Sequence, residues 1–269
     1  MTILQAIILG TVQGLTELLP ISSSAHLFLI PWFFNWNIPE SFDVALHFGT
    51  LLAIGIFFFK DWIGLIKGGY KKIVHKENSV EGRIFWYIVI ATIPGGVIGF
   101  ILDKYAESIL TQPLIIAIAL IIMGTILYLI DKNAKKETEY ENLSFKQTFM
   151  IGISQALAFI PGVSRSGITM TTGRALGIKR DAVAKYSFML SAPIVLAATI
   201  FKLKDFIEYF LIADLTGIIA FVLGVLFSFV VGIFVIKFLL DYLKKGSFKI
   251  FAIYRVIIGI LVIGIYFLK

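Results

Sequence analysis

The chain has no cysteine, so neither a disulfide nor a thiolate metal site can contribute to its fold or chemistry. It is also poor in charge. Only 15% of its 269 residues are Asp, Glu, Lys or Arg, against 58% hydrophobic, and the mean hydropathy is +0.92. A soluble domain of this composition would have too few polar groups to cover its surface, so the chain belongs in a bilayer. Histidine is scarce, at positions 26, 47 and 75 only, and no metal-ligand spacing appears. A basic leader and an Ala-x-Ala cleavage site are both missing near the N-terminus, where the apolar stretch carries Glu17, so no cleaved signal peptide is expected. Strand-like alternation is absent from the long apolar runs, which leaves helices.

Six of those runs are long enough to cross about 30 Å of hydrocarbon at about 1.5 Å per residue: Phe42–Phe59, Ile84–Leu102, Leu114–Ile130, Val183–Phe201, Leu215–Ile236 and Ile250–Leu268. Two others, Thr2–Phe34 and Phe145–Leu176, are broken midway by Pro20-Ile-Ser-Ser-Ser24 and Pro161-Gly-Val-Ser-Arg-Ser166. They are expected to form helix-loop-helix hairpins. Their freed backbone groups cannot face lipid, so the tips must be packed in protein or line a wet cavity.

A shift of 142 residues lays Gly10 on Gly152, Gln13 on Gln155, Leu15 on Leu157, Ser22 on Ser164 and Ser24 on Ser166 without a gap. A weaker register, shifted by 139, continues into the next helix through Val44 and Val183, Ala45 and Ala184, and Leu51 and Leu190. The expected architecture is therefore an all-α integral membrane protein of one domain, residues 1–269. Two repeats, 1–130 and 145–269, would each hold one re-entrant hairpin and three transmembrane helices. A hairpin returns to its own side and three spans end on the other, so the second repeat must be inverted. Lys and Arg fall in keeping with this: seventeen on the side opposite the N-terminus, four on the N-terminal side and three (Arg165, Arg174, Arg255) within membrane segments. The bias makes the rich side cytoplasmic, puts both termini outside, and accounts for the net charge of +7 without a nucleic-acid partner.

An ionisable group within a membrane costs about 2.5–3.5 kcal/mol on insertion scales and so needs a partner or a task. The first break offers Gln13, Glu17, Ser22, Ser23, Ser24 and His26, with Gln13 and Glu17 four residues apart on one helical face. The second offers Ser164, Arg165, Ser166 and Thr169, with Gly162 and Gly167 permitting close backbone approach. Hydroxyls and free N–H groups at a helix start favour an anion, and the planar fork of Arg165 suits phosphate. A carboxylate, an imidazole, hydroxyls and a guanidinium together fit phosphoryl transfer, where positioning and charge stabilisation do most of the catalysis. Taken singly each group has a plainer explanation: a serine cap, a Glu17–Arg165 ion pair, a packed histidine. His47, Asp43 and Arg174 are read in that plainer way.

At these residues the chain resembles the undecaprenyl-diphosphate phosphatase family linked to bacitracin resistance. The likeness rests on Gln13-Gly-Leu-Thr-Glu17, continuing through Leu-Leu-Pro-Ile-Ser-Ser-Ser-Ala-His26, and on Pro161-Gly-Val-Ser-Arg-Ser-Gly-Ile-Thr169, and it covers nearly the whole sequence. The resemblance implies a hydrolase that removes the terminal phosphate of undecaprenyl diphosphate, recycling the lipid carrier of peptidoglycan synthesis and conferring resistance to bacitracin. It implies the bacterial cytoplasmic membrane as location, an active site opening to the outer face, and Mg²⁺ or Ca²⁺ as a cofactor. Glu17, Ser23, His26 and Arg165 would be catalytic; Gln13, Ser22, Ser24, Ser164, Ser166 and Thr169 would bind substrate. Where many members carry Glu at the first motif position this chain has Gln13, an amide that cannot act as a base. Ser23 is the candidate nucleophile with Glu17 or His26 as base; attack by water or by His26 stays open. The type-2 phosphatidic acid phosphatases need a histidine downstream of their Ser-Arg motif, and none lies beyond His75. The rival from another class is a lipid flippase or other transporter, since inverted repeats with broken helices suit alternating access. Expected partners are the lipid and the bilayer, and a homodimer is compatible with the chain.

Overall fold

The structure is a computed structural model that describes every residue except 110, 135 and 136, and every other side chain except those of 40, 99–100 and 102–109. Lys135 and Lys136, and the side chain of Lys104, which enter the charge tally above, therefore lie outside what is described.

The chain is all-α. Helices α1 (Ile3–Thr16), α2 (Ser23–Phe34), α3 (Glu40–Phe57), α4 (Phe59–Val74), α5 (Val80–Ile109) and α6 (Pro113–Asn133) are followed by α7 (Phe145–Ser154), α8 (Arg165–Ala175), α9 (Arg180–Phe201), α10 (Leu203–Ile212), α11 (Leu215–Leu243) and α12 (Lys249–Leu268). Among the described residues the only β pairing is a single bridge between Thr138 and Ile178. By length and composition α6, α9, α11, α12 and the first part of α5 are apolar enough to cross a membrane. The sixth expected span corresponds to α3, which bends by 77° at Phe58 into α4. The bend marks where the apolar run meets Lys60 and Asp61, the first charges after it. With these helices the chain is a multi-pass membrane protein. Outward-facing side chains along them, such as Ile118, Ile122, Val222 and Phe234, are exposed in the isolated chain, as a surface solvated by lipid requires.

Both broken regions are present as paired short helices. Thr2 caps α1 and Ser144 caps α7, each in a reciprocal box with a glutamine three residues on, Gln5 or Gln147. After α7 the chain tightens through a 3₁₀ turn, Gln155–Phe159, before the second break. Helix α1 packs on α11 and α7 packs on α5, both through glycine. A Cβ on Gly10 would collide with the Gly224 carbonyl oxygen, and one on Gly152 with that of Ala91. Such backbone contact is how helices associate where hydrophobicity gives them no drive.

Contacts sort the loops into two ends. At one, Asp131 at the foot of α6 accepts from Arg174 Nε (2.9 Å), Arg180 Nε (2.8 Å) and the Phe248 N–H (3.1 Å). Nearby, Lys185 pairs with Asp61 at 2.6 Å, and Gln147 near the start of α7 donates to the Leu176 carbonyl just past α8 at 3.1 Å. At the other end Lys269 Nζ donates to the Trp32 and Phe33 carbonyls at 3.0 and 3.2 Å. There Met1, Trp36, Ile38, Phe206 and Tyr209 pack on one cluster around Phe42 and Phe221. Arg174 is thus a buried structural cation, in keeping with its plainer reading.

Candidate functional site

The two breaks fold alike and meet. Ser22 and Ser164 are the N-caps of α2 and α8, with φ of 75° and 73°, a left-handed backbone that a non-glycine residue adopts only under constraint. Each side chain accepts from the N–H three residues on, Ala25 at 3.4 Å and Gly167 at 3.0 Å. Each hydroxyl also pairs with that of the second serine along, Ser24 at 3.3 Å and Ser166 at 3.2 Å. Two helix N-termini are thereby opened by the same device. Ser166 Oγ crosses to the Leu19 carbonyl at 3.0 Å. Arg255, buried in α12, donates to the Pro20, Gly162 and Val163 carbonyls at 3.2, 2.8 and 3.0 Å, one guanidinium tying both turns.

Glu17, only 6% exposed, ends α1 at the centre of this junction. Its Oε2 accepts from Ser23 Oγ at 2.5 Å and from Gln13 Nε2 at 3.2 Å, and lies 3.3 Å from His47 Nε2. Its Oε1 takes Arg165 at 2.5 Å. Arg165 is held in turn by the Ser187 carbonyl at 3.2 Å. The carboxylate thus has a hydroxyl and an amide donating to it, an imidazole beside it and a guanidinium across from it. Glu17, Ser23 and Arg165 are thus brought into direct contact.

The other candidates divide. Ser24 and Ser164 line a cavity of about 270 Å³ together with Glu17, Ser23 and Arg165. Ser22, Ser166 and Thr169 are buried behind it, Thr169 sharing a 2.7 Å hydrogen bond with Ser187. His26 does not reach Glu17 or Ser23: its Nδ1 donates to the Ser22 carbonyl at 2.7 Å, so its Nε2 accepts from Tyr254 Oη at 2.7 Å. Gln13 supports Glu17 and does not line the cavity.

His47, read from sequence as a packing residue, is here a member of the site. Its Nδ1 donates to the Asp43 carbonyl at 2.8 Å and its Nε2 faces Glu17. It stands in neither sequence motif, and the available signal was the cost of any histidine within an apolar span. His47 and Ser24 also line a second cavity, about 600 Å³, with Trp32, Asn35, Asn37 and Asp43. The first cavity is otherwise walled by Val44, Ala158, Phe159, Ile194, Val195 and Ala198. The first cavity therefore sets the Glu17, Ser23 and Arg165 cluster against an apolar wall, an arrangement able to receive a molecule with a charged head and a hydrocarbon tail.

Fold and site together define a class: an all-α, multi-pass membrane protein with a buried acid–hydroxyl–guanidinium cluster between two helix N-termini. The family model described as bacitracin resistance protein BacA matches residues 6–261. The chain belongs to that family. Among curated relatives, a protein of Moorella thermoacetica is 45% identical over 271 residues, covering all of both chains. One of Pelotomaculum thermopropionicum is 48% identical over 98% of this chain and 96% of its own. One of Methanosphaera stadtmanae is 40% identical over 97% of each. All three are named undecaprenyl-diphosphatase.

Proposed function

We propose that this chain hydrolyses undecaprenyl diphosphate to undecaprenyl phosphate and inorganic phosphate at the junction of its two serine-capped turns. The observation that carries the chemistry is the 2.5 Å hydrogen bond from Ser23 Oγ to Glu17 Oε2 beside Arg165. Ser23 attacks the terminal phosphorus while Glu17 takes its proton. The Oγ–P bond forms, the bond from phosphorus to the bridging oxygen breaks, and the lipid monophosphate leaves. The leaving lipid monophosphate takes the proton from Glu17, and the restored carboxylate then deprotonates a water that attacks the phosphorus; the Ser23 Oγ–P bond breaks, Ser23 recovers the proton and inorganic phosphate leaves. Proton transfer to Glu17 removes the charge that Arg165 was pairing, which frees the guanidinium for the phosphate oxygens as charge develops on them. Ser164 and the N–H groups opening α2 and α8 supply further donors. Ser22, Ser24, Ser166 and Thr169 shape the two turns that present them. His26, with its Nε2 turned to Tyr254, acts by packing the first turn, while His47 holds Glu17.

We place the expected Mg²⁺ or Ca²⁺ on the diphosphate oxygens, where it would neutralise charge. The described residues hold no group of three His, Cys, Asp or Glu able to cage an ion, and Glu17 already faces Arg165 and His47.

The architecture belongs to the same proposal: one domain of two inverted repeats, 1–130 and 145–269, with α1–α2 and α7–α8 as re-entrant hairpins. In its support, exchanging the repeats maps the α1–α11 contact onto α7–α5 and Gly10 onto Gly152. The charge bias puts the Asp131 end in the cytoplasm and the Lys269 end outside, in the bacterial cytoplasmic membrane, with the site reached from the outer face. One chain supplies every residue named, so a homodimer, if formed, is not needed for the chemistry.

The test is phosphate release from undecaprenyl diphosphate by the purified protein in proteoliposomes, with rapid quench and mass spectrometry to trap phosphorylated Ser23. Lipid movement across the bilayer without phosphate release would make the protein a transporter instead.

A further inference from the structure

Gln155 and Gln13 correspond in the 142-residue repeat, and their side chains have opposite fates. Gln13 donates its amide to Glu17. Four residues after Gln155, where the first repeat has Glu17, the second has Phe159, so Gln155 has no acid to serve. It is 2% exposed, lines the first cavity beside Arg165 and Ser164, and neither its Nε2 nor its Oε1 makes a hydrogen bond. Leaving a buried amide unpaired costs about 1–3 kcal/mol per group in proteins, and such groups are rare unless a ligand or water satisfies them. The backbone also makes room for this one: a Cβ on Gly95 of α5 would come within 3.0 Å of Gln155 Nε2.

Ser24 and His47 line both cavities, whereas Gln155 lines only the first, next to the apolar wall of Phe159 and Ile194. We propose that Gln155 is a substrate-binding residue whose amide donates to an oxygen of the lipid-proximal phosphate, the one that stays with the polyprenyl product. This rests on the hydrolase reading above and extends it: the residue holds substrate and product alike. Being equally engaged before and after cleavage, it contributes uniform binding rather than transition-state stabilisation.

Gln155→Leu and Gln155→Met, purified in detergent beside wild type, test this by KM, kcat, the inhibition constant of undecaprenyl phosphate, and melting temperature with and without that product. Expected for both variants is a KM about 10- to 100-fold higher, the range of a hydrogen bond to a charged group. The product's inhibition constant should rise by a similar factor, with kcat within about threefold of wild type. Thermal protection by the product should fall, while the unliganded protein melts no lower than wild type because a buried unpaired amide has been removed. Unchanged KM in a folded variant overturns the proposal, as does a raised KM with an unchanged product constant, which moves the contact to the terminal phosphate. If wild type releases no phosphate, the hydrolase reading fails by itself. Gln155-dependent protection by undecaprenyl phosphate would still stand as a binding result, and protection equal in wild type and both variants would overturn this inference.

Discussion

The first and second serine turns have nearly the same backbone and opposite charge. Ser22 and Ser164 cap their helices with φ within 2° of each other, yet one turn follows Glu17 and the other leads into Arg165. Where the first has a carboxylate supported by Gln13, the second has Phe159 and an amide with no partner. A structural device present twice is thus loaded asymmetrically, with the proposed proton acceptor beside one turn and the proposed phosphate clamp beside the other. The lesson is that the shared part, a cap that opens a helix N-terminus, presents backbone donors twice, and in the proposed mechanism the differing side chains decide which step each turn serves.

The comparison is broken most severely by removing the acid. Glu17→Gln keeps the shape and the Gln13 side of the network but abolishes proton transfer, and phosphate release should fall by about 10³–10⁴ with the protein still folded. Ser23→Ala should fall into the same range; turnover above a tenth of wild type, less than about 1.4 kcal/mol of barrier, would shift nucleophilic attack to water. On the other copy, Arg165→Lys retains a charge to pair with Glu17 but loses the two-pronged fork. Turnover should drop about 10²–10³ with little change in melting temperature, and a fully active variant would reduce Arg165 to a structural partner. His47→Asn should cost about tenfold in kcat through loss of a single contact to Glu17, checked by steady-state kinetics. The smallest effects should be shared: Ser22→Gly and Ser164→Gly each remove a cap but relieve a left-handed serine, so their melting temperatures should shift little and in parallel. Unequal shifts would show that the two turns are alike in form but not in energetics.

Much of this was legible before any coordinates. Six apolar runs became helices because length and composition suffice to specify a membrane span, and both breaks fell at their Pro and Ser clusters. Glu17, Ser23 and Arg165 were identifiable because polar and ionisable groups concentrate at two corresponding breaks, although each taken singly has a plainer explanation. The bend at Phe58 was not anticipated, nor was α4 beyond it, whose lysines interrupt the apolar pattern on which the spans were recognised. His47 and Gln155 were hidden for another reason. One lies on a continuous helix with no motif around it, and the other differs from a paired glutamine only through a residue four positions away. Their significance depends on which neighbours the fold brings to them, and a local pattern carries no record of that.

Arg255 gives the molecule a biosynthetic timetable. It lies in the last helix, yet its guanidinium gathers carbonyls from turns centred more than ninety and more than two hundred residues earlier. During synthesis both turns are therefore translated before the residue that joins them. The nascent chain carries Glu17, Ser23, Arg165 and the Ser166–Leu19 contact between the turns before it carries the guanidinium that binds both. A ribosome that stalls before α12 leaves a protein with every proposed reacting group but without the guanidinium that braces both turns at once.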